Sequence, residues 1–150
     1  MTFTIDAARP EDAPAILALL SDNRLPLDGV AECLDSALVA RDSDRVIGVT
    51  ALEIYPDGGL LRSVAVAAGA RGHGLGQRLT SAALDLARML DLPAVYLLTT
   101  TADRFFPKCG FSEISRADVP PDVQQSIEFR SACPSSAIVM RIVLADRERQ

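Results

Sequence analysis

The chain reads as an α/β domain built on a mixed sheet, with antiparallel and parallel strand pairs and flanking helices. Three observations predict that class. β-Branched runs separated by turn residues fill residues 37–66, the pattern of an antiparallel meander. From Gly74 the apolar period lengthens to that of a helix. The run "AVYLLT" (94–99) is then apolar without alternation, as in a parallel strand covered on both faces.

The elements follow in order. "FTIDA" (3–7) reads as a first strand. "RPEDAPAILALLSD" reads as a helix, with Glu11 and Asp12 in its first turn, where the dipole favours acids, and Ile16, Leu19 and Leu20 on one face. Residues 23–36 hold a second short helix behind Leu25-Pro26. Strands at 37–42, 45–55 and 60–66 are joined by turns at Ser43-Asp44 and at Pro56-Asp57-Gly58-Gly59. Leu75, Leu79, Ala82, Ala83, Leu86 and Leu90 form one stripe of a helix running to about Asp91, and Pro93 ends it. A short helix (102–107), a strand from Phe111, a polar loop (115–134) and a last strand (136–144) complete a single domain over 1–144. The tail 145–150 is expected to fray.

Composition narrows the function classes. The chain has 150 residues, 49% hydrophobic and 23% charged, the balance of one domain with a real core. Its net charge of -5, without a Lys/Arg cluster, argues against nucleic acid and anionic membranes as partners. No apolar stretch approaches the roughly 20 residues that span a bilayer, and no secretion signal opens the chain, so a cytoplasmic protein is expected. Cys33, Cys109 and Cys133 form no C-x-x-C pair, and His73 is the one histidine, so no metal site is expected.

The chemistry centres on Arg71-Gly72-His73-Gly74-Leu75-Gly76. A strand entering a glycine loop at a helix N-terminus presents unsatisfied backbone N–H groups, which suits an anion. The same glycines are also compatible with a bare strand-to-helix turn. The phosphate-loop pattern G-x-x-x-x-G-K-[ST] is absent, and the next strand ends in Thr99-Thr100-Thr101, without the acid of a dinucleotide fingerprint.

"RGHGLG" after "VAV" resembles the pyrophosphate motif of the GNAT N-acetyltransferases, [QR]-x-x-G-x-[GA]. "ADRFFPKCGF" (102–111) resembles their second signature, and "RPEDAPAILALL" their first helix. The resemblance implies a twisted mixed sheet of about six or seven strands flanked by about four helices. It implies acetyl-CoA as cosubstrate, with its pantetheine arm between two splayed strands. Backbone groups of Val64 and Val66 would pair with the pantetheine, and the amides of Gly72, His73, Gly74, Leu75, Gly76 and Gln77 would hold the pyrophosphate. Arg71 would add charge at the loop entrance, and Ala65, Thr99, Phe105 and Phe106 would complete the cofactor site. A homodimer is also implied. "LLRSVAV", "VTALEIY" and "YLLTTTADRFF" further resemble the arsenic-resistance (ArsN-type) N-acetyltransferases, whose implied acceptor is an arsenic- or phosphorus-containing amino acid.

Transfer from a thioester to an amine needs a base for the ammonium and a donor for the oxyanion. Glu53, a carboxylate in an apolar strand expected to face the cleft, is the candidate base; it is otherwise a solvated residue or a partner of Arg62. Arg62 and Ser63 are adjacent on a strand and so expected on opposite faces, and both are candidate acceptor contacts. Phe106 stands where the family commonly has a tyrosine acid. The leaving thiolate, with a parent pKa near ~8.5, then departs unaided or takes a proton from Thr99, Thr100 or Tyr96. Glu128 and Arg130 read as surface charges of the 115–134 loop, and Cys109 as a buried small residue. The leading reading is an acetyl-CoA-dependent N-acetyltransferase for a small amine. The alternatives are a protein, peptide or polyamine acetyltransferase, and a non-catalytic acyl-CoA sensor.

Overall fold

The computed structural model of the protein describes residues 2–132 and 136–144. The tail 145–150, Cys133 and Pro134 lie outside the described residues. Seven strands form one sheet: β1 (Thr4–Ala7), β2 (Ala37–Asp42), β3 (Arg45–Tyr55), β4 (Gly58–Val66), β5 (Ala94–Thr99), β6 (Ser112–Ile114) and β7 (Ile138–Val143). Their spatial order is β1-β2-β3-β4-β5-β7-β6. Every neighbouring pair is antiparallel except β4 and β5, which run parallel. The mixed sheet predicted from sequence is therefore what the chain forms.

Helices α1 (Ala13–Asp22) and α2 (Leu75–Met89) cover opposite faces. Side chains alternate along a strand, so Val39 and its partner Val49 pack under Ile16 and Leu20 of α1, while Ala40 packs under Leu75 and Leu79 of α2; a bulge opposite Ala40–Arg41 turns Ile47 to the α2 side as well. Further along α2, Ala83, Leu84 and Ala87 meet Leu52, Leu61, Leu97 and Phe106. The segment 115–129 is not the exposed loop expected. It winds through short helical turns and lays Val119 and Val123 on Leu60, Tyr96 and Val139 of the sheet.

Local chemistry moved several boundaries. Residues 10–12 form a separate 3-10 turn, and α1 starts at Ala13 with Pro14 in its first turn, where the missing N–H costs nothing. The short helices expected within 23–36 and 102–107 are 3-10 turns at Ala31–Ser36 and Phe106–Cys109. With α1 and α2 they make about four helical elements around the sheet. Gly58 and Gly59 belong to β4, not to the turn. A Cβ on Gly58 would sit 3.0 Å from Tyr96 Cε1, and one on Gly59 3.0 Å from Leu92 Cδ1, so the strand needs glycine to lie flat there. The start of α1 is fastened to β2 by a buried pair, Arg41 Nη1 donating to Asp12 Oδ1 at 2.8 Å.

Candidate active site

β4 and β5 begin as neighbours and then part. Gly59 pairs with Val95 and Leu60 with Tyr96, and the pairing stops there. A bulge sends β4 away: Ala51 opposes Arg62 and Val49 opposes Ala65, so Ser63 and Val64 together face Thr50. Ser63 takes a left-handed backbone, φ 61°. The cleft that opens has a volume of about 970 Å³. Val64 and Val66 line one wall, Thr99–Ala102 with Phe105 and Phe106 the other, and Arg71, Gly72, Gly74, Leu75, Gly76 and Gln77 one end.

The glycines of that loop serve different needs. Gly72 (φ 87°) and Gly74 (φ 72°) hold left-handed backbone with open space where a Cβ would be, so conformation demands them. Gly76 is crowded instead: a Cβ there would stand 3.2 Å from Phe105 Cζ. Gly74 precedes α2, a 15-residue helix whose first amides open into the cleft. Arg71 is exposed and held in place, Nη2 donating to Asn23 Oδ1 at 2.8 Å. His73 is exposed and lies outside the lining, and the Leu75 side chain is buried in the core. Ala65 turns its side chain to α1.

At the far wall Thr99 Oγ1 accepts from the amides of Ala102 (2.8 Å) and Thr101 (3.4 Å), pinning the turn after β5. Phe106 is buried edge-on to Phe105, centroids 5.0 Å apart, and to Phe111 at 5.8 Å. Of the proton donors weighed in its place, Thr99 and Thr100 line the cleft, whereas Tyr96 packs against Val119 and Val123.

The other end of the cleft holds a charge cluster. The Arg62 side chain is fully buried. Its Nη1 donates to Glu53 Oε2 at 2.9 Å, its Nη2 lies 3.4 Å from Glu128 Oε2, and Nη2 also reaches the Pro26 carbonyl at 3.3 Å. Burial lowers the guanidinium's proton affinity, but Glu128 and Glu53 more than offset it and leave its pKa raised. Arg62 Nε donates to Ser63 Oγ at 3.1 Å. Arg62 and Ser63 thus meet at the cleft, against the expectation of opposite faces, because the bulge breaks the alternation.

Glu53 sits elsewhere than expected. It faces a second cavity of about 640 Å³, lined also by Asp28, Glu32, Cys33 and Tyr55, and not the glycine-loop cleft. Tyr55 donates its hydroxyl to Glu53, and burial, helped by Glu53, pushes the phenol up to about 12. Burial likewise pushes the Cys33 thiol up to about 11. No group of metal-ligating side chains occurs among the described residues. Glu128, read from sequence as a surface charge, is buried and lines the cleft. One signal pointed to it: an arginine inside an apolar strand carries five N–H donors that need acceptors once buried, more than one carboxylate supplies.

A parted strand pair that runs into an anion-binding loop at a helix start is the arrangement that the resemblance to acyl-CoA-dependent acetyltransferases implies. Comparison with known proteins agrees. Residues 34–113 match the acetyltransferase (GNAT) domain. An amino-acid acetyltransferase of Mycobacterium tuberculosis is 33% identical over 126 residues, covering 77% of this chain and 72% of that protein. The structure of Rv2747 from Mycobacterium tuberculosis, in complex with CoA and a second ligand, is 29% identical, with TM-score 0.81 over 95% of this chain and 99% of that one. N-acetylglutamate synthase from Neisseria gonorrhoeae, complexed with CoA and N-acetyl-glutamate, shares the fold at TM-score 0.83 and 21% identity; this chain spans 36% of its length. The chain belongs to the GNAT acetyltransferase family. It is an acyl-CoA-dependent N-acetyltransferase, and acetyl-CoA is its cosubstrate.

Proposed function

We propose that the protein acetylates the α-amino group of a small amino acid. The observation that carries this is the charge cluster in the cleft. Two carboxylates, Glu53 and Glu128, surround one guanidinium, so the site has an excess negative charge that suits an ammonium. A relative bearing the name amino-acid acetyltransferase supports the same class of acceptor.

In this reading the glycine-loop amides and Arg71 hold the pyrophosphate, and the unpaired edge of β4 at Val64 and Val66 holds the pantetheine. The acetyl carbon then lies near the cluster. Glu128 lines the cleft and receives the ammonium. Glu128 takes the ammonium's proton and passes it to water in the cleft, while Glu53, the base expected from sequence, opens to the second cavity and fixes Arg62 from behind. The freed amine attacks the thioester carbonyl, and the C–S bond breaks. The thiolate leaves without help from Phe106, and the Thr99 hydroxyl, which already accepts two amides, still has its hydrogen to donate.

The narrower acceptor we propose has the frame of glutamate with a second acidic group at its far end, the class to which phosphinothricin and arsinothricin belong. The resemblance of "LLRSVAV" and "VTALEIY" to ArsN-type segments supports it. CoA-thiol release from acetyl-CoA across glutamate, glutamine, phosphinothricin, arsinothricin, spermidine and an N-terminal peptide tests both levels. Release with amino acids alone supports the class, and preference for the two analogues supports the narrower acceptor. Release only with spermidine or peptide overturns the proposal.

A further inference from the structure

We infer that Arg24 is the specificity-determining residue that receives a carboxylate of the acceptor; this rests on the amino-acid reading above. Arg24 follows the C-cap of α1. Its amide donates to the Ser21 carbonyl at 3.0 Å, and the Leu25 amide donates to the Leu20 carbonyl at 3.0 Å. That crossed pair closes a helix with its first non-helical residue in left-handed backbone, a place that glycine usually takes. Arg24 holds φ 58° there. The same closure ends α2, where Asp91 (φ 58°) occupies the equivalent place, with Asp91 donating to Arg88 and Leu92 to Ala87. Aspartate is among the residues that tolerate this conformation; arginine is not. A long side chain is thus kept at a position that disfavours it.

What it gains is position. Arg24 lines the cleft together with Asn23, Leu25, Pro26 and Asp28. The loop is fastened on both sides. Asn23 Nδ2 donates to the Leu19 carbonyl at 2.8 Å, its Oδ1 receives Arg71, and Leu25 packs against the α1 core. Arg24 itself makes no ion pair among the described residues, with Asp28 or any other acid. Arg62, the other arginine at this end, is committed to Glu53, Glu128, Ser63 and Pro26. An amino acid whose ammonium meets the carboxylate cluster carries its own carboxylate into the same cavity. Two exposed arginines line that cavity: Arg71 donates to Asn23 and stands at the glycine loop, whereas Arg24 has no acid partner among the described residues, and its planar fork matches a carboxylate.

Steady-state kinetics of Arg24→Gly, Arg24→Gln and Arg24→Lys test this, with glutamate, its α-amide and its γ-amide as acceptors. The expected result is a rise in the acceptor KM of about 10- to 100-fold for glutamate with kcat nearly unchanged, and partial rescue by lysine. The variants should act little on whichever amide lacks the contacted carboxylate, which identifies the α or the distal group. Arg24→Gly should also raise Tm by about 2 to 4 °C, because glycine relieves the backbone. A fall in Tm, an equal effect on acid and both amides, or a rise confined to the KM of acetyl-CoA overturns the inference. An enzyme that turns over no amino acid overturns the amino-acid reading as well.

Discussion

Replacing Arg62 by methionine tests the charge cluster most severely. Methionine keeps an unbranched stem of similar bulk and removes the charge. The Arg62 side chain is fully buried, and those of Glu53 and Glu128 are 11% and 6% exposed. Both acids, little exposed themselves, then lose the cation they share. Breaking a buried pair in this way costs about 3–5 kcal/mol. Against a total stability of about 5–15 kcal/mol, that is a large fraction. With an m-value of about 2 kcal/mol/M, the urea midpoint should fall by about 2 M. Removing the stranded charges as well, in Arg62→Met with Glu53→Gln and Glu128→Gln, should recover most of the loss. Urea titrations of both variants, followed by far-UV circular dichroism, decide it. A loss below about 1 kcal/mol for Arg62→Met, or a triple variant no more stable than the single one, would refute the cluster's burial and its mutual dependence.

Other expectations follow from the same geometry. Asp12 is held at about 2, down from 3.8, chiefly by its hydrogen bond from Arg41. Its contribution is therefore complete above pH ~4 and lost as pH falls towards ~2, and Asp12→Asn should flatten the Tm-against-pH curve across that window. Gly74→Ala keeps free space but forces a Cβ into left-handed backbone, so it should cost about 1–2 kcal/mol and raise the KM for acetyl-CoA, measurable by chemical denaturation and kinetics. Thr50 Oγ1 is buried with no partner among the described residues, so Thr50→Val should raise stability by about 1 kcal/mol, read from the urea midpoint.

The sequence was most legible where one physical preference dominated. β2, β3 and β5 fall at the residues expected, because their β-branched runs end at unmistakable turn residues or at Pro93. The helix at Leu75–Met89 carries a clear apolar stripe. Legibility failed where tertiary contact overrode local pattern. Gly58 and Gly59 resemble a turn, yet Tyr96 and Leu92 make them strand. The bulge at Ser63 has no local signature, because serine ordinarily continues a strand; it decides that Arg62 and Ser63 share the cleft. Glu128 lies in a polar stretch with no periodicity, and only the buried guanidinium across the sheet explains why it turns inward.

The short contact between β4 and β5 has a consequence for how the molecule holds together. Four strands of antiparallel meander lie on one side of that seam and three strands on the other, and among the described residues the strand pairing between them is confined to Gly59–Leu60 and Val95–Tyr96. α2 lies over both parts like a splint, since its apolar face meets Leu52 and Leu61 as well as Leu97. Beyond the seam the sheet is unfinished, and in the binding mode proposed above the cosubstrate supplies the missing rungs. At a concentration 100 times its Kd, such a ligand adds about 2.7 kcal/mol to stability. Much of that gain should fall on the amides flanking the gap, so their hydrogen exchange should slow on binding more than that of the meander. Loading should therefore join the two parts more tightly than strand pairing alone does.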